Sequence, residues 1–136
     1  MKKIIVALCV SFVLFSCTDK KKQETDMLNE VIKVHDRVME KENLIMINKM
    51  QLDTLIKANI SAHVTDSAKL HITELDSADS RMENWMHGFD AENKGKSHDE
   101  IMTYLTAEKK KIDAIDSNFN IVVANASKFI KQNKTK

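Results

Sequence analysis

Ser97-His98-Asp99-Glu100-Ile101-Met102-Thr103-Tyr104-Leu105 opens the run of sequence that decides the fold. Ser97 and Glu100 have the spacing of a capping box, in which the serine hydroxyl accepts the N3 amide and the N3 carboxylate reaches back to the cap. Beyond it Ile101, Leu105, Glu108, Ile112, Ile115, Phe119, Val122, Ala126 and Phe129 follow in steps of three and four. That period puts them on one face of an α-helix. Lys131, Lys134 and Lys136 gather near the carboxyl end, where cations suit the helix dipole. The spacing predicts a helix over about 98–131.

Upstream, Asp90, Asn93 and Gly95 mark a loop over 89–96. Before it, Ala68, His71, Leu75, Ala78, Met82, Trp85 and Phe89 form a second stripe, with Met86 widening it. A helix over about 66–88 is expected, capped by Thr65, Asp66 or Ser67. A break at 61–65 separates it from a first periodic run. That run carries Leu28, Val31, Ile32, Val38, Met39, Ile45, Met46, Leu52 and Ile56, behind a cap at Thr25 or Asp26. It predicts a helix over about 26–60, about 50 Å long at the α-helical rise.

His35, Glu42 and Lys49 interrupt the first stripe, and Glu108 interrupts the third. With helices 1 and 3 parallel, Glu42 and Glu108 are expected near one level, compensated by Lys49, Lys111 or water. Were both buried, replacing them with Leu is expected to raise thermal stability.

The chain holds no proline and two glycines, Gly88 and Gly95, so little stops a helix. Charged residues make up 30% and aromatics 5%, a balance that suits a bundle or coiled coil. The expected fold class is all-α: an up-down-up three-helix bundle with coiled-coil-like packing, one domain over 26–136.

The N-terminus reads differently. Met1-Lys2-Lys3 precedes an apolar run of about 12 residues, too short for a membrane span and typical of a signal peptide. Leu14-Phe15-Ser16-Cys17 ends it and resembles the lipobox of bacterial lipoproteins. That resemblance implies a signal peptide over 1–16, cleavage before Cys17 and lipid on the Cys17 sulfur and new amine. Several acyl chains on one residue make a stable anchor. Residues 17–25 then read as a lipidated flexible tether. Cys9 would leave with the signal, so no disulfide and no free thiol remain. Loss of Lys2 and Lys3 leaves 19 basic residues against 20 acidic ones, a balance that argues against nucleic acid as a partner.

Catalytic and metal signatures are scarce. The sequence has no Cys-x-x-Cys-His, no His-Glu-x-x-His, no Glu-x-x-His and no glycine-rich phosphate loop. The antiparallel hairpin gathers His35, Met39, Trp85, Met86, Phe89 and Tyr104 at one end of the bundle. Thioether with imidazole suits Cu(I) or one face of a haem, so His35, Met39 and Met86 are the metal candidates. Against this, methionine commonly fills core gaps. The packing alternative is a structural cluster of His35, Trp85, Phe89 and Tyr104, with His35 accepting the Trp85 indole N–H.

Val31-Ile32-Lys33-Val34-His35-Asp36-Arg37-Val38-Met39, Trp85-Met86-His87-Gly88-Phe89 and Tyr104-Leu105 resemble the flavobacterial (Bacteroidota) lipoproteins labelled "viral A-type inclusion protein". The resemblance implies a cell-envelope setting and supplies no catalytic residues. The expectation is a non-enzymatic, lipid-anchored interaction or structural module, periplasm-facing on the outer membrane, with no cofactor and with a protein partner or self-association. The alternative is an envelope protein that binds copper or haem through His35 with Met39 or Met86.

Overall fold

Helix formation begins far ahead of the expected cap. In the computed structural model, which describes residues 2–134 with side chains from Asp19 onward, α1 spans Lys2–Ala58, α2 Ala62–Gly88 and α3 His98–Asn133. No strand occurs among the described residues. The side chains of the expected signal peptide (1–16) and of Cys17 lie outside those described.

The expected flexible tether is helical instead. Thr25 does not cap α1; its hydroxyl donates to the Lys21 carbonyl one turn back, at 3.0 Å. Gln23 donates to Asp19 at 3.5 Å and Lys22 to Asp26 at 3.4 Å, both at i,i+4. The physical reason is that nothing breaks the helix there, and i,i+4 side-chain pairs support it. Polar composition alone does not end a helix.

Each helix packs against both others. α1 and α3 run parallel, with α2 antiparallel between them in sequence. Glu24 pairs with His98 at 2.8 Å, Lys41 with Asp116 at 2.5 Å, and Asn48 with Ser127 at 3.0 Å. These three contacts keep a nearly constant sequence offset, so they report one register along the whole bundle. The helices are therefore the expected up-down-up three-helix bundle.

The core repeats every seven residues. Val31, Val38, Ile45 and Leu52 are buried on α1; Ala68, Leu75 and Met82 on α2; Leu105, Ile112, Phe119 and Ala126 on α3. Intermediate positions add Val34, Leu55, Ala78, Trp85 and Val122. This is the spacing of a coiled-coil seam. Full burial of each Val, Leu, Ile or Phe contributes about 1.5–3 kcal/mol.

One face was expected elsewhere. On the α1 track of His35, Glu42 and Lys49, Glu42 is exposed and the other two are half-buried; on the track of Val34, Lys41, Asn48 and Leu55, all but the half-buried Lys41 are buried. Ile32 and Met46, expected inside, are exposed, and so is Glu42. The offset of one residue has a polar counterpart. Asp116 is buried on α3 and takes Lys41 and Arg37 as partners, and those contacts suit the orientation in which Val34, Asn48 and Leu55 are buried.

The connections follow turn chemistry. α1 ends at Asn59 with φ 47°, a left-handed closing residue that asparagine tolerates. Ser61, not the expected Thr65, Asp66 or Ser67, caps α2 by accepting the Val64 amide at 3.2 Å, so the expected break at 61–65 is helical from Ala62. In the second loop Asp90 accepts the amides of Glu92 and Asn93, each at 3.1 Å. Lys96 closes onto Asp90 at 2.8 Å and onto Asn93 at 2.9 Å, and holds the Asp90 carboxyl below its ordinary range. The capping box of α3 is formed as expected: Ser97 accepts the Glu100 amide and the Glu100 carboxylate accepts the Ser97 amide.

Candidate functional site: a methionine groove beside an aromatic stack

The α2–α3 end of the bundle holds the expected aromatic cluster as a ladder. Trp85 and Phe89 stack at 4.7 Å between centroids, and Phe89 stacks on Tyr104 at 6.2 Å. His35 tilts against Trp85 at 6.1 Å. Lys96 sits over the Tyr104 ring at 4.3 Å, and the Tyr104 hydroxyl accepts the Asp90 amide at 2.7 Å. Rings, loop and helix start are thereby tied into one block.

The acceptor for the indole is not His35. Trp85 donates to Glu108 at 2.8 Å, from one buried residue to another. Glu108 also takes Lys111 at 2.7 Å, and that hydrogen bond, then the carboxylate charge, hold the ammonium above its ordinary pKa. The sequence placed Glu108 in the stripe and named Lys111 as compensation; the indole partner was missed. A carboxylate is the stronger acceptor, because a charged partner roughly doubles a hydrogen bond. His35 instead points Nδ1 at its neighbour Asp36, at 2.9 Å.

Of the three metal candidates, the two thioethers share a cavity. Met39 and Met86 line one cavity of about 330 Å³ between α1 and α2, together with Met82, Glu42, Asp79 and Glu83. His35 is not among its lining residues. Among the described residues no group of three His, Cys, Asp or Glu side chains is arranged to hold a metal ion. His35 packs in the aromatic ladder, and the two thioethers line the cavity.

The methionine lining extends beyond that cavity. A second, of about 600 Å³, is lined by Met39, Met46, Met50, Ile45, Glu42, Asp53 and Asp79, with Lys49. The two share Met39, Glu42 and Asp79, so they form one groove along the α1–α2 seam. Five of the seven methionines after Met1 line it. Met46 is 56% exposed and Met50 63%, so gap-filling does not account for them. The sequence reading took Met39 and Met46 as core. Met39 is half-buried and packs against the core, whereas Met46, one position after the buried Ile45, is turned outward.

No family model, curated protein or solved structure matches this chain.

A second polar feature stiffens the bundle. Asp116 accepts Lys41 at 2.5 Å and both Arg37 Nε and Nη2, at 3.0 and 2.9 Å. Burial pushes its carboxyl up, but Lys41 and then Arg37 outweigh that and hold it below the ordinary aspartate range. One register higher, Asn48 donates to the Val123 carbonyl and to Ser127, and accepts from the Ser127 hydroxyl. All polar valences reached by Asn48 are spent on α3. These groups tie α1 to α3 along the bundle.

Proposed function

We propose that this chain is a lipid-anchored, non-enzymatic binding module of a bacterial cell envelope, held at Cys17 and presenting the α1–α2 groove to a protein partner. The observation that carries the binding role is the exposure of Met46 and Met50 along a groove lined by five methionines. Methionine is polarizable and unbranched, and it recurs on surfaces that accept partner helices. Anchoring rests on the Leu14-Phe15-Ser16-Cys17 lipobox, with the signal over 1–16 removed. No helix among the described residues is long and apolar enough to cross a membrane.

The helical course of α1 through the former tether supports a short stand-off. From Cys17 to Glu24, the first residue paired to α3, the helix rises about 10 Å at 1.5 Å per residue. The end carrying His98 would then face the bilayer, with the groove opening sideways above it. The lysines after Cys17, unlike an acidic surface-export signal, support a periplasm-facing position on the outer membrane.

Two measurements test the reading. Radioactive palmitate should label the wild type and not Cys17→Ala; equal label on both would remove the anchor. A photo-crosslinking residue at Met50 should give a discrete adduct in intact cells of a lipoprotein-processing host, and one at Ile121, exposed on α3, should not. Identical patterns from both positions would remove the groove as the binding surface.

A further inference from the structure

Resting on the groove being a binding surface, we infer that its occupant is a cationic amphipathic helix of a protein partner, about four turns long. Three observations fix that chemistry. The first is charge. Glu42, Asp53, Asp79 and Glu83 line the two halves of the groove, and the one cation among the lining residues is Lys49. Lys49 is already engaged by Asp76 of α2. An apolar ligand with basic flanks meets four carboxylates and no free ammonium in the lining.

The second is shape. The lining residues of α1 run from Val38 to Asp53, about 22 Å at the helical rise. A helix of about 15 residues matches that length, and its apolar anchors at i, i+3, i+4 and i+7 suit a groove between two helices. The third is the lining itself. Flexible thioethers adapt to leucine, phenylalanine or tryptophan knobs without a fixed mould. Below them the cavity floor reaches Val38 and Phe119, both buried, so an inserted side chain lands on the core. Charged residues at the rim set encounter and sign preference, while the apolar floor supplies the desolvated centre.

The test uses the full lipidated chain in phosphatidylcholine nanodiscs, with methionine methyl groups labelled for NMR. The probe is a synthetic helix of about 18 residues with leucine at the a and d heptad positions and lysine elsewhere; a second carries glutamate for lysine. The lysine probe should shift the Met39, Met46, Met50, Met82 and Met86 methyls and leave Met27 and Met102 unmoved, because those two lie outside the groove. The glutamate probe should shift none. Glu42→Lys with Asp79→Lys should weaken the lysine probe at least tenfold, equivalent to about 1.4 kcal/mol. Trp85 emission, unchanged in that variant, would confirm that the bundle is intact.

Several results would overturn the inference. Equal binding of both probes would, as would shifts shared by Met27 and Met102, or no shift at millimolar probe. Groove-methyl shifts that appear on concentrating the protein without any probe would make a second copy the occupant. A Met50 crosslink in cells with no binding of the lysine helix would keep the binding reading and remove the cationic helix.

Discussion

Glu108 shows how one partner reverses the sign of a substitution. As a bare buried carboxylate it would be better replaced by leucine. The structure instead gives it the Trp85 N–H and the Lys111 ammonium. Removing the acceptor leaves a buried indole N–H unpaired, which costs about 1–3 kcal/mol. Glu108→Leu should therefore lower the urea midpoint, and Glu108→Gln, which keeps an acceptor oxygen, should lower it less. A leucine variant as stable as wild type would show that the hydrogen bond contributes nothing net. Trp85→Ala removes the ring at the centre of the ladder and should cost about 3–5 kcal/mol, as for other large core truncations. Asp116 adds a pH dependence. Its folded pKa lies below the unfolded value near about 3.9, so its contribution is complete above that pH. It is lost as pH falls through the folded value. Asp116→Asn should be less stable than wild type at neutral pH, by about 1.5–3 kcal/mol for hydrogen bonds to charged groups. The gap should narrow below about pH 4, a trend that paired urea titrations would read. A gap that widened on acidification would contradict the Lys41 and Arg37 assignment.

Among the elements, α2 and α3 were legible and α1 was only partly so. The α2 stripe from Ala68 to Trp85 and the Ser97–Glu100 box stand in the structure as the sequence has them. Both have one unambiguous apolar face. On α1 two neighbouring tracks compete: His35, Glu42, Lys49, Ile56 and Val34, Lys41, Asn48, Leu55. Hydropathy separates them only weakly: the first has one apolar member, Ile56, and the second has two, Val34 and Leu55. The Asp116 contacts that suit the observed choice lie far away in sequence, and long-range ion pairs are invisible to a periodicity count. The same misreading hid the groove, since turning α1 by one residue carries Met46 from core to surface. The N-terminal turn of α1 failed for another reason: charged composition was read as a tether, although i,i+4 pairing makes such a segment helical. Cα chemical shifts of residues 19–25 should therefore be helical in the anchored protein. Coil values there, with helical values from residue 26, would restore the flexible tether. Lys22→Pro should break the helix locally and leave the bundle's melting temperature within about 2 °C, because surface changes away from packed features are nearly neutral. The described core begins only at Val31.

At the scale of the whole molecule, the polar ladder between α1 and α3 explains how a repetitive core chooses one register. A seven-residue repeat allows α1 to slide by one heptad against α3 with aliphatic residues still meeting aliphatic residues. Such a slip moves Lys41 away from Asp116 and Asn48 away from Ser127 and the Val123 carbonyl. Each misplaced polar group would be buried without its partner, at a cost of about 1–3 kcal/mol. The correct register satisfies Glu24 with His98, Lys41 and Arg37 with Asp116, and Asn48 with Ser127 and the Val123 carbonyl at once. The groove depends on this. A slipped α1 would set its methionines against a different floor, because Phe119 of α3 forms the bottom of the cavity in the native register. Asn48→Leu with Ser127→Ala tests the argument, since it replaces a satisfied polar pair by apolar groups. The exchange should be neutral or raise the melting temperature, as replacement of both partners often does. It should also weaken discrimination between registers. Paired spin labels at Lys33 and Lys110, exposed on α1 and α3, should give one distance in the wild type and a second, longer or shorter by up to about 10 Å for a seven-residue slide, in the double variant. A single unchanged distance would mean that the Asp116 cluster alone holds the register, and adding Asp116→Leu with Lys41→Leu should then release it.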